Sequence, residues 1–78
     1  MSNIDQYDEV FQQLLQVEKS ALSGLKYQDI PAWDSIGHMA LMTTLEEKFE
    51  VELDIDDIID FSSYEHGKVI LGKYNIDF

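Results

Sequence analysis

The sequence predicts an all-α domain of four helices, with three main helices and a short third one. Apolar residues recur at spacings of three and four, which is typical of helices with one buried face. Serine, asparagine or aspartate stands at the start of each such stretch, where helix caps are expected. The 78 residues suffice for one domain and no second one, so we expect residues 1–78 to fold as a single unit.

The first helix is predicted to begin at Asn3, which has capping-box spacing with Gln6, and to fade near Lys19. Its apolar stripe comprises Ile4, Tyr7, Val10, Phe11, Leu14 and Leu15. A connection over Ser20–Asp34 follows, interrupted by Gly24 and by Pro31, which removes a backbone donor. We expect four of its side chains to contact the core: Leu22, Leu25, Tyr27 and Ile30.

The second helix is predicted to open at Asp34 or Ser35 and to run to about Glu50. Its expected apolar stripe comprises Met39, Met42, Leu45 and Phe49. Its charged residues Glu46, Glu47 and Lys48 fall mostly outside that stripe.

Two shorter helices complete the prediction. The third spans Asp54–Phe61, starts with acidic residues that suit the positive end of a helix dipole, and carries Ile55, Ile58 and Ile59. The fourth begins at a capping box, Ser62 to Glu65, and is expected to present Val69, Ile70 and Tyr74 inward. Gly67 and Gly72 should weaken it by roughly 1 kcal/mol each, and the tail Asn75–Phe78 is expected to fray.

Charge and composition limit the classes of partner. Sixteen acidic residues against five basic ones give a formal net charge of −11, which repels nucleic acid and anionic membranes and favours a protein with a basic surface. There is no cysteine, so any thiol chemistry must come from a bound group. The polar, acidic first eight residues do not resemble a signal peptide, and we expect a cytoplasmic protein.

The segment from Trp33 to Met39 is the strongest candidate for a functional site. It places Ser35, preceded by Asp34, at the mouth of the second helix. A phosphodiester on Ser35 would lie where unpaired backbone N–H groups and the helix dipole favour negative charge. The structural alternative is that the Asp-Ser pair is an ordinary helix cap.

From Asp34 to about Tyr74 the sequence resembles the acyl carrier proteins. The likeness rests on Asp34-Ser35-Ile36, which matches the family's Asp-Ser-Leu signature, and on Leu45-Glu46-Glu47-Lys48-Phe49, which matches its Leu-Glu-Glu-x-Phe block at the family's separation. An acidic short third helix follows, as in that family. The resemblance implies a four-helix acyl-carrier-like bundle.

The resemblance also implies a function. Ser35 would be the attachment point for 4′-phosphopantetheine, transferred from coenzyme A by a phosphopantetheinyl transferase, whose terminal thiol carries an acyl or aminoacyl group as a thioester. The implied partners are that transferase, an acyl- or aminoacyl-activating ligase and downstream acyl-transferring enzymes, with no nucleic acid and no membrane. The chain would be a monomeric carrier that catalyses nothing and holds no metal.

In such carriers the second helix is the main docking face, which here corresponds to Asp34, Ile36, Glu46 and Glu47. The alternative is that the two glutamates form a solvated helix face and that Ile36 is half-buried. Gly37, His38 and Ala40 replace residues that are often acidic in fatty-acid carriers, and Lys48 interrupts the acidic block. Together with Trp33, these differences favour a discrete carrier of a specialised pathway.

Histidine and methionine offer few further sites. We expect His38 to be a neutral surface or contact residue and His66 to face solvent. Met39 and Met42 have helical spacing and are expected in the core, the alternative being the lining of an acyl-chain pocket.

The sequence also bears on three other functions. Six residues fall at calcium-ligand positions of an EF-hand loop: Asp54, Asp56, Ile58, Asp60, Ser62 and Glu65. Ile59 replaces the glycine which that loop requires, so a calcium site is not expected. An enzyme would need Ser35 as nucleophile, yet His38 and His66 complete no convincing triad. The runner-up is a small acidic helical adaptor in which Ser35 is only a cap.

Overall fold

The computed structural model describes residues 2–78, so Met1 of the predicted 1–78 domain lies outside the described residues. The described chain is all-α, as predicted, with four α-helices and one 3-10 turn in the order α1 Asn3–Leu15, turn Lys19–Ala21, α2 Ser35–Phe49, α3 Ile55–Asp60 and α4 Tyr64–Gly72. Residues 2–78 form no β-strand, although an isolated antiparallel bridge pairs Lys26 with Ser63.

The first helix begins at Asn3 as predicted but differs from the prediction in its capping residue and in its C-terminal end. Ser2, not Asn3, is the N-cap, and its hydroxyl accepts a hydrogen bond from the Asp5 amide at 3.2 Å. The helix ends at Leu15, four residues before the predicted end near Lys19, because Gln16 adopts a left-handed conformation with φ 55°. A residue in that conformation ends a helix by turning the backbone away from it.

The connection between α1 and α2 packs on the core as predicted. Leu22 and Leu25 are buried, and Tyr27 and Ile30 are half-buried against the core cluster. Its backbone is also tied to the segment before α4, since the Tyr27 amide donates to the Ser62 carbonyl and the Tyr64 amide donates to the Leu25 carbonyl, both at 2.9 Å.

The predicted bounds of α2 are confirmed, with Asp34 as N-cap and Glu50 as C-cap. Its buried residues are Leu41, Met42 and Leu45, while Phe49 is half-buried and Met39 is half exposed. The expectation that Met39 belongs to the core is therefore wrong, and Leu41 takes that role. Although α2 is the longest helix, at 15 residues, none of the helices in residues 2–78 has the length and apolar content needed to cross a membrane.

The short α3 lies inside its predicted range, with Asp54 and Phe61 as its flanking caps. Only one of its three isoleucines, Ile58, is half-buried, and the other two are exposed. Asp57 is the buried residue of this helix. A six-residue helix has too few turns for apolar spacing to define which face is buried.

The fourth helix starts one residue later than the predicted capping box, because Ser63 is the N-cap and accepts from the His66 amide at 3.0 Å. Ile70 and Leu71 are buried and Tyr74 is half-buried, but Val69 is 65% exposed, so the expectation that Val69 faces inward is wrong. The face that packs includes Gly67, which is buried.

An aromatic cluster joins α1 to α4 at the centre of the core. The Phe11 ring meets the rings of Tyr7, Trp33 and Tyr64 at centroid distances of 4.9, 5.5 and 5.3 Å. Gly67 lies against this cluster so closely that a Cβ atom there would come well within 3.0 Å of Phe61 and of the Tyr7 hydroxyl. The glycine therefore permits the packing of α4, rather than merely weakening the helix.

The C-terminal tail does not fray in this structure, contrary to the expectation for Asn75–Phe78. Ile76 is buried, and the Phe78 ring contacts the Tyr7 and Phe49 rings. The Asn3 side-chain amide donates to the Asp77 carbonyl at 2.9 Å, which ties the tail to the start of α1. The amides of Asn75 and Ile76 also donate to the carbonyls of Gly72 and Leu71. Aromatic contacts and these hydrogen bonds thus order a segment whose own sequence has no helical pattern.

Candidate functional site

Ser35 is the first residue of α2, and its side chain is exposed. The cap of this helix is Asp34, whose carboxylate oxygen Oδ1 accepts from the Gly37 amide at 2.8 Å. The Asp34 carbonyl accepts from the His38 amide at 2.7 Å. Among residues 2–78 the Ser35 hydroxyl has no hydrogen-bond partner, and the amides of Ser35 and Ile36 have no acceptor.

The turn that leads into α2 requires the glycine at position 37. A Cβ atom on Gly37 would lie far inside 3.0 Å of the Ala32 carbonyl oxygen, a backbone atom that cannot move without moving the turn. The Trp33 side chain, which precedes the cap, is fully buried and its amide donates to the Ile30 carbonyl at 3.1 Å. This close backbone approach and the Trp33 anchor fix the chain on the N-terminal side of Ser35.

Ser35 stands at the edge of a pocket of about 290 Å³. The pocket lies between the start of α2, the helix α3 and the connection before α2, and its lining is Tyr27, Ser35, His38, Met39, Ile58, Ile59, Phe61 and Ser62. Of the two methionines that could line a pocket, Met39 lines this one, whereas Met42 is fully buried in the core. The contributions of Tyr27 and Phe61 have no local sequence signal.

His38 lies three residues after Ser35 on α2 and is half-buried. Its Nδ1 accepts a hydrogen bond from Trp33 Nε1 at 2.9 Å, and its Nε2 lies 2.8 Å from the Ile58 carbonyl oxygen. Contact of His38 with an arm or a partner stays a prediction, since its contacts in the structure are within the chain. The His66 side chain is 40% exposed, in line with the expectation that it faces solvent, and its Nε2 lies 3.3 Å from the Asp60 carboxylate.

A second polar contact holds α3 from the side of α4. The Asp57 carboxylate accepts from Lys73 Nζ and from the Tyr74 hydroxyl, both at 2.5 Å, and the Tyr74 oxygen accepts from the Asp54 amide at 3.0 Å. Hydrogen bonds from Lys73 and Tyr74 lower the pKa of Asp57, and the same contact raises the pKa of Lys73. The carboxylate is therefore held in its charged form where α3 meets α4.

Exposed apolar side chains lie on α2 close to Ser35 and on α3 across the pocket from α2. We call Ile36, Met39, Ile55 and Ile59 the entrance patch; their exposures are 80%, 50%, 73% and 76%. Met39 and Ile59 also line the pocket, so the patch is continuous with it. The alternative in which Ile36 is half-buried is wrong, and the isoleucine spacing of α3 did not predict that Ile55 and Ile59 are surface residues.

The four predicted docking residues lie in different environments. Asp34 and Ile36 are exposed beside Ser35, and Glu47 is exposed further along α2. Glu46 is half-buried, and its carboxylate accepts from the Leu53 amide at 2.8 Å. One oxygen of Glu46 is thus used to hold the loop between α2 and α3.

The negative charge is largely unpaired. Four of the five lysines form ion pairs within 4.0 Å, namely Lys19, Lys48, Lys68 and Lys73. Most of the sixteen acidic residues therefore have no lysine partner, and the surface that includes Asp34, Asp54 and Asp56 is acidic. Such a surface attracts basic protein surfaces.

The residues that match EF-hand positions do not form a calcium loop. Asp56 and Asp60 lie within α3, and Asp54 is its N-cap, so the segment is helical where that loop must bend around the ion. Across residues 2–78 no three histidine or carboxylate side chains are grouped closely enough to hold a metal ion.

A buried carboxylate lies on the opposite side of the core. Asp8 is 4% exposed and accepts a hydrogen bond from the Tyr64 hydroxyl, while Lys19 Nζ lies 3.7 Å from its other oxygen. Burial raises the pKa of Tyr64, and its hydrogen bond to Asp8 raises that pKa further. Burial also raises the pKa of Tyr7, whose hydroxyl donates to the Tyr64 carbonyl at 2.7 Å. These bonds join α1 to α4, and none of them involves a residue that lines the Ser35 pocket.

No protein-family model, curated protein or solved structure matches this chain.

Proposed function

We propose that this chain is a carrier protein of the acyl-carrier type, in which Ser35 holds 4′-phosphopantetheine and presents acyl or aminoacyl intermediates to partner enzymes of a biosynthetic pathway. The partners are a phosphopantetheinyl transferase, an acyl- or aminoacyl-activating ligase and downstream acyl-transferring enzymes. The chain itself is not an enzyme. The proposal rests on the resemblance around Asp34-Ser35-Ile36 and on the environment of Ser35.

The observation that carries the proposal is that Ser35 does not cap its helix. Asp34 performs that task by accepting from the Gly37 amide, which leaves the Ser35 hydroxyl exposed and without a partner in residues 2–78. A serine whose only role was capping would accept a hydrogen bond from a backbone amide with its side-chain oxygen. Ser35 is instead free to be modified.

The surroundings of Ser35 fit a phosphodiester. The amides of Ser35 and Ile36 have no acceptor in the described chain, and they stand at the positive end of the 15-residue α2. These donors would lie beside a phosphate on the Ser35 oxygen and would favour its negative charge. When bound, phosphopantetheine supplies a flexible arm and a thiol that carries the acyl group.

A carrier that catalyses nothing needs no general base beside its serine. The hydrogen bonds of the two histidines are consistent with the absence of such a base. Both ring nitrogens of His38 are engaged by Trp33 and Ile58, and His66 contacts Asp60. The transferase would activate the Ser35 hydroxyl. The Ser35 oxygen then forms a bond to phosphorus, the pyrophosphate bond of coenzyme A breaks, and the adenosine bisphosphate portion leaves.

Docking of partner enzymes is proposed at the entrance patch and the acidic residues around it. Asp34 and Glu47 would meet basic partner residues, and Ile36 would meet an apolar surface next to the arm. The exposure of Ile55 and Ile59 extends the proposed surface onto α3. Glu46 contributes less, because one of its oxygens accepts from the Leu53 amide.

The alternative function is a small acidic adaptor that binds a protein without any modification. The entrance patch is the observation that favours it, because it exposes four large apolar side chains on α2 and α3, two of which line the same pocket, and groups of exposed apolar side chains mark protein interfaces. An adaptor has no reason to be modified at one serine, so a single experiment separates the two functions.

The test is incubation of the purified chain with coenzyme A and a broad-specificity phosphopantetheinyl transferase, followed by intact mass. We expect the mass of one phosphopantetheinyl group to be added to the wild type and to Ser62→Ala, and nothing to be added to Ser35→Ala. Ser62 is the matched control because it is exposed and lines the same pocket. Equal modification of Ser35→Ala, or an unmodified wild type beside a carrier that the transferase does modify, contradicts the proposal.

A further inference from the structure

His38 uses both of its ring nitrogens to join other parts of the chain. Trp33 Nε1 donates to Nδ1 at 2.9 Å, and Nε2 lies 2.8 Å from the Ile58 carbonyl oxygen. An indole N–H can only donate and a carbonyl oxygen can only accept. Both bonds therefore form together only when His38 is neutral and carries its proton on Nε2.

The ring is also held by aromatic neighbours on three sides. The Trp33 ring stacks on it at 6.3 Å between centroids with an interplanar angle of 18°, and the Tyr27 and Phe61 rings meet it edge-on at 5.3 and 6.1 Å. Trp33 is fully buried, so its indole N–H would lose its only described partner if the His38 ring turned away. An unpaired buried donor is costly, which keeps the ring in this orientation.

The two bonds connect the segment before Ser35 to α3. Trp33 lies two residues before Ser35, His38 lies three residues after it, and Ile58 belongs to α3 on the far side of the pocket. With six residues, α3 is too short to be stable alone. Ile55 and Ile59 are about three-quarters exposed and add little burial. The helix therefore depends on Ile58, on the contacts of Asp57 and Asp60, and on the bond to His38.

We propose that His38 is a positioning residue that, as the Nε2–H tautomer, holds α3 against α2 and thereby fixes the pocket and the Ser35 entrance in the arrangement that the transferase binds. The first part concerns the chain alone. The second part rests on the proposed function, since it assumes that Ser35 is the modified residue.

Three substitutions separate the two bonds. His38→Gln offers an amide N–H at about the reach of Nε2 and can keep the bond to Ile58. His38→Asn offers an acceptor near the position of Nδ1 for Trp33 but does not reach Ile58, and His38→Phe keeps a ring while removing both bonds. His66→Gln is the comparison variant, because His66 also contacts α3, through the exposed Asp60 at its last residue, and lines no part of the pocket. Gln can keep a hydrogen bond to Asp60, and an exposed pair of this kind contributes little, so this substitution should leave α3 unchanged.

The first measurement is made on the unmodified protein. We expect the nitrogen-15 chemical shifts of His38 to report the neutral Nε2–H tautomer. Amide exchange in α3 should be about fivefold faster in His38→Asn and His38→Phe, as for the loss of one hydrogen bond, and close to the wild-type rate in His38→Gln and His66→Gln. A charged ring, an Nδ1–H tautomer, or unchanged α3 exchange in His38→Asn would overturn the positioning role.

The second measurement follows modification by coenzyme A and the transferase. We expect KM for the carrier to rise about fivefold in His38→Asn and His38→Phe, with kcat unchanged and His38→Gln near the wild type, because the change lies in binding the entrance. Normal KM in all variants, with a modified wild type, would overturn the link to Ser35. If the wild type is not modified while the tautomer and exchange results hold, the carrier function fails and the positioning of α3 stands.

Discussion

The side of the core where α1 meets α4 and the side that bears Ser35 are held together differently. Between α1 and α4 the aromatic rings of Tyr7, Phe11 and Tyr64 are buried and in mutual contact. At the Ser35 side, α3 is held mainly by polar contacts, from His38 to Ile58 and from Lys73 to Asp57, while much of its apolar surface faces solvent. Apolar packing together with the buried hydrogen bonds of Tyr7 and Tyr64 stabilises the first side, whereas hydrogen bonds with little apolar burial position α3 on the second.

This difference suits a carrier. A densely packed half can keep the fold intact while the half that is proposed to meet partners exposes an apolar surface and a short helix that few bonds hold in place. Substitutions in the two halves should therefore have different consequences. Packing changes between α1 and α4 should lower the free energy of unfolding, and polar changes around α3 should mainly alter local exchange and modification.

The largest effect is expected for Gly67→Ala. The new methyl group would collide with Phe61 and the Tyr7 hydroxyl, and overpacking of this kind costs about 1–3 kcal/mol or more of unfolding free energy. Gly72→Ala is the matched control on the same helix, because its Cβ would meet nothing within 4 Å and alanine favours helix. Urea unfolding measures both, and equal stability of Gly67→Ala and the wild type would show that the aromatic cluster is not tightly packed.

A smaller and more local effect is expected for Gly37→Ala. Its Cβ would displace the Ala32 carbonyl and with it the turn before Ser35, so we expect slower modification by the transferase and a destabilisation of about 1–2 kcal/mol. Ala40→Ser is the control on the exposed part of α2. Modification of Gly37→Ala at the wild-type rate would show that the turn geometry does not matter for Ser35.

The hydrogen bonds to Asp57 predict that the free energy of unfolding depends on pH. The folded pKa of Asp57 lies below its ordinary value of 3.8, so its contribution is present above that value and is lost as pH falls through the folded pKa. Thermal unfolding from about pH 5 to about pH 3 should therefore lose less stability in Asp57→Asn than in the wild type. Asp56→Asn, a neighbouring exposed residue, is the control and should keep the wild-type slope. The same slope in all three proteins would contradict the role of the Lys73 and Tyr74 bonds.

The smallest effect is expected from salt. The excess of acidic over basic residues leaves a net charge of −11, and screening should relieve its self-repulsion. The thermal midpoint should rise with sodium chloride or millimolar magnesium, by less than the shift caused by Gly67→Ala. A flat response would mean that the acidic groups are spaced widely enough not to repel one another.

The helices were predictable because their signals are local. Each signal lies within a few residues of the structure that it determines. Examples are the spacing of Met42 and Leu45 within α2, the aspartate before Ser35 at its start, and Gly24 and Pro31 in the connection. The end of α1 at Leu15 was missed because the left-handed Gln16 is neither glycine nor asparagine, the usual residues in that conformation.

The site was predictable only in part. The position of Ser35 at the entrance of α2 follows from the local sequence, but the pocket beside it does not, because Tyr27 and Phe61 come from distant segments. The bond from His38 to the Ile58 carbonyl spans twenty residues and involves a backbone atom, which no side-chain pattern reveals. Likewise, the face of α3 is chosen by the contacts of Asp57 with Lys73 and Tyr74, and not by its isoleucine spacing.

Whether Ser35 carries phosphopantetheine in the cell can be read from the intact mass of the protein isolated from its native host, with fragmentation to locate any added group. We expect a population heavier by a phosphopantetheinyl group, or by that group with an attached acyl or aminoacyl unit, with the added mass on the peptide that contains Ser35. A native protein that carries only the mass of its amino acids, from cells whose other carriers are modified, would contradict it.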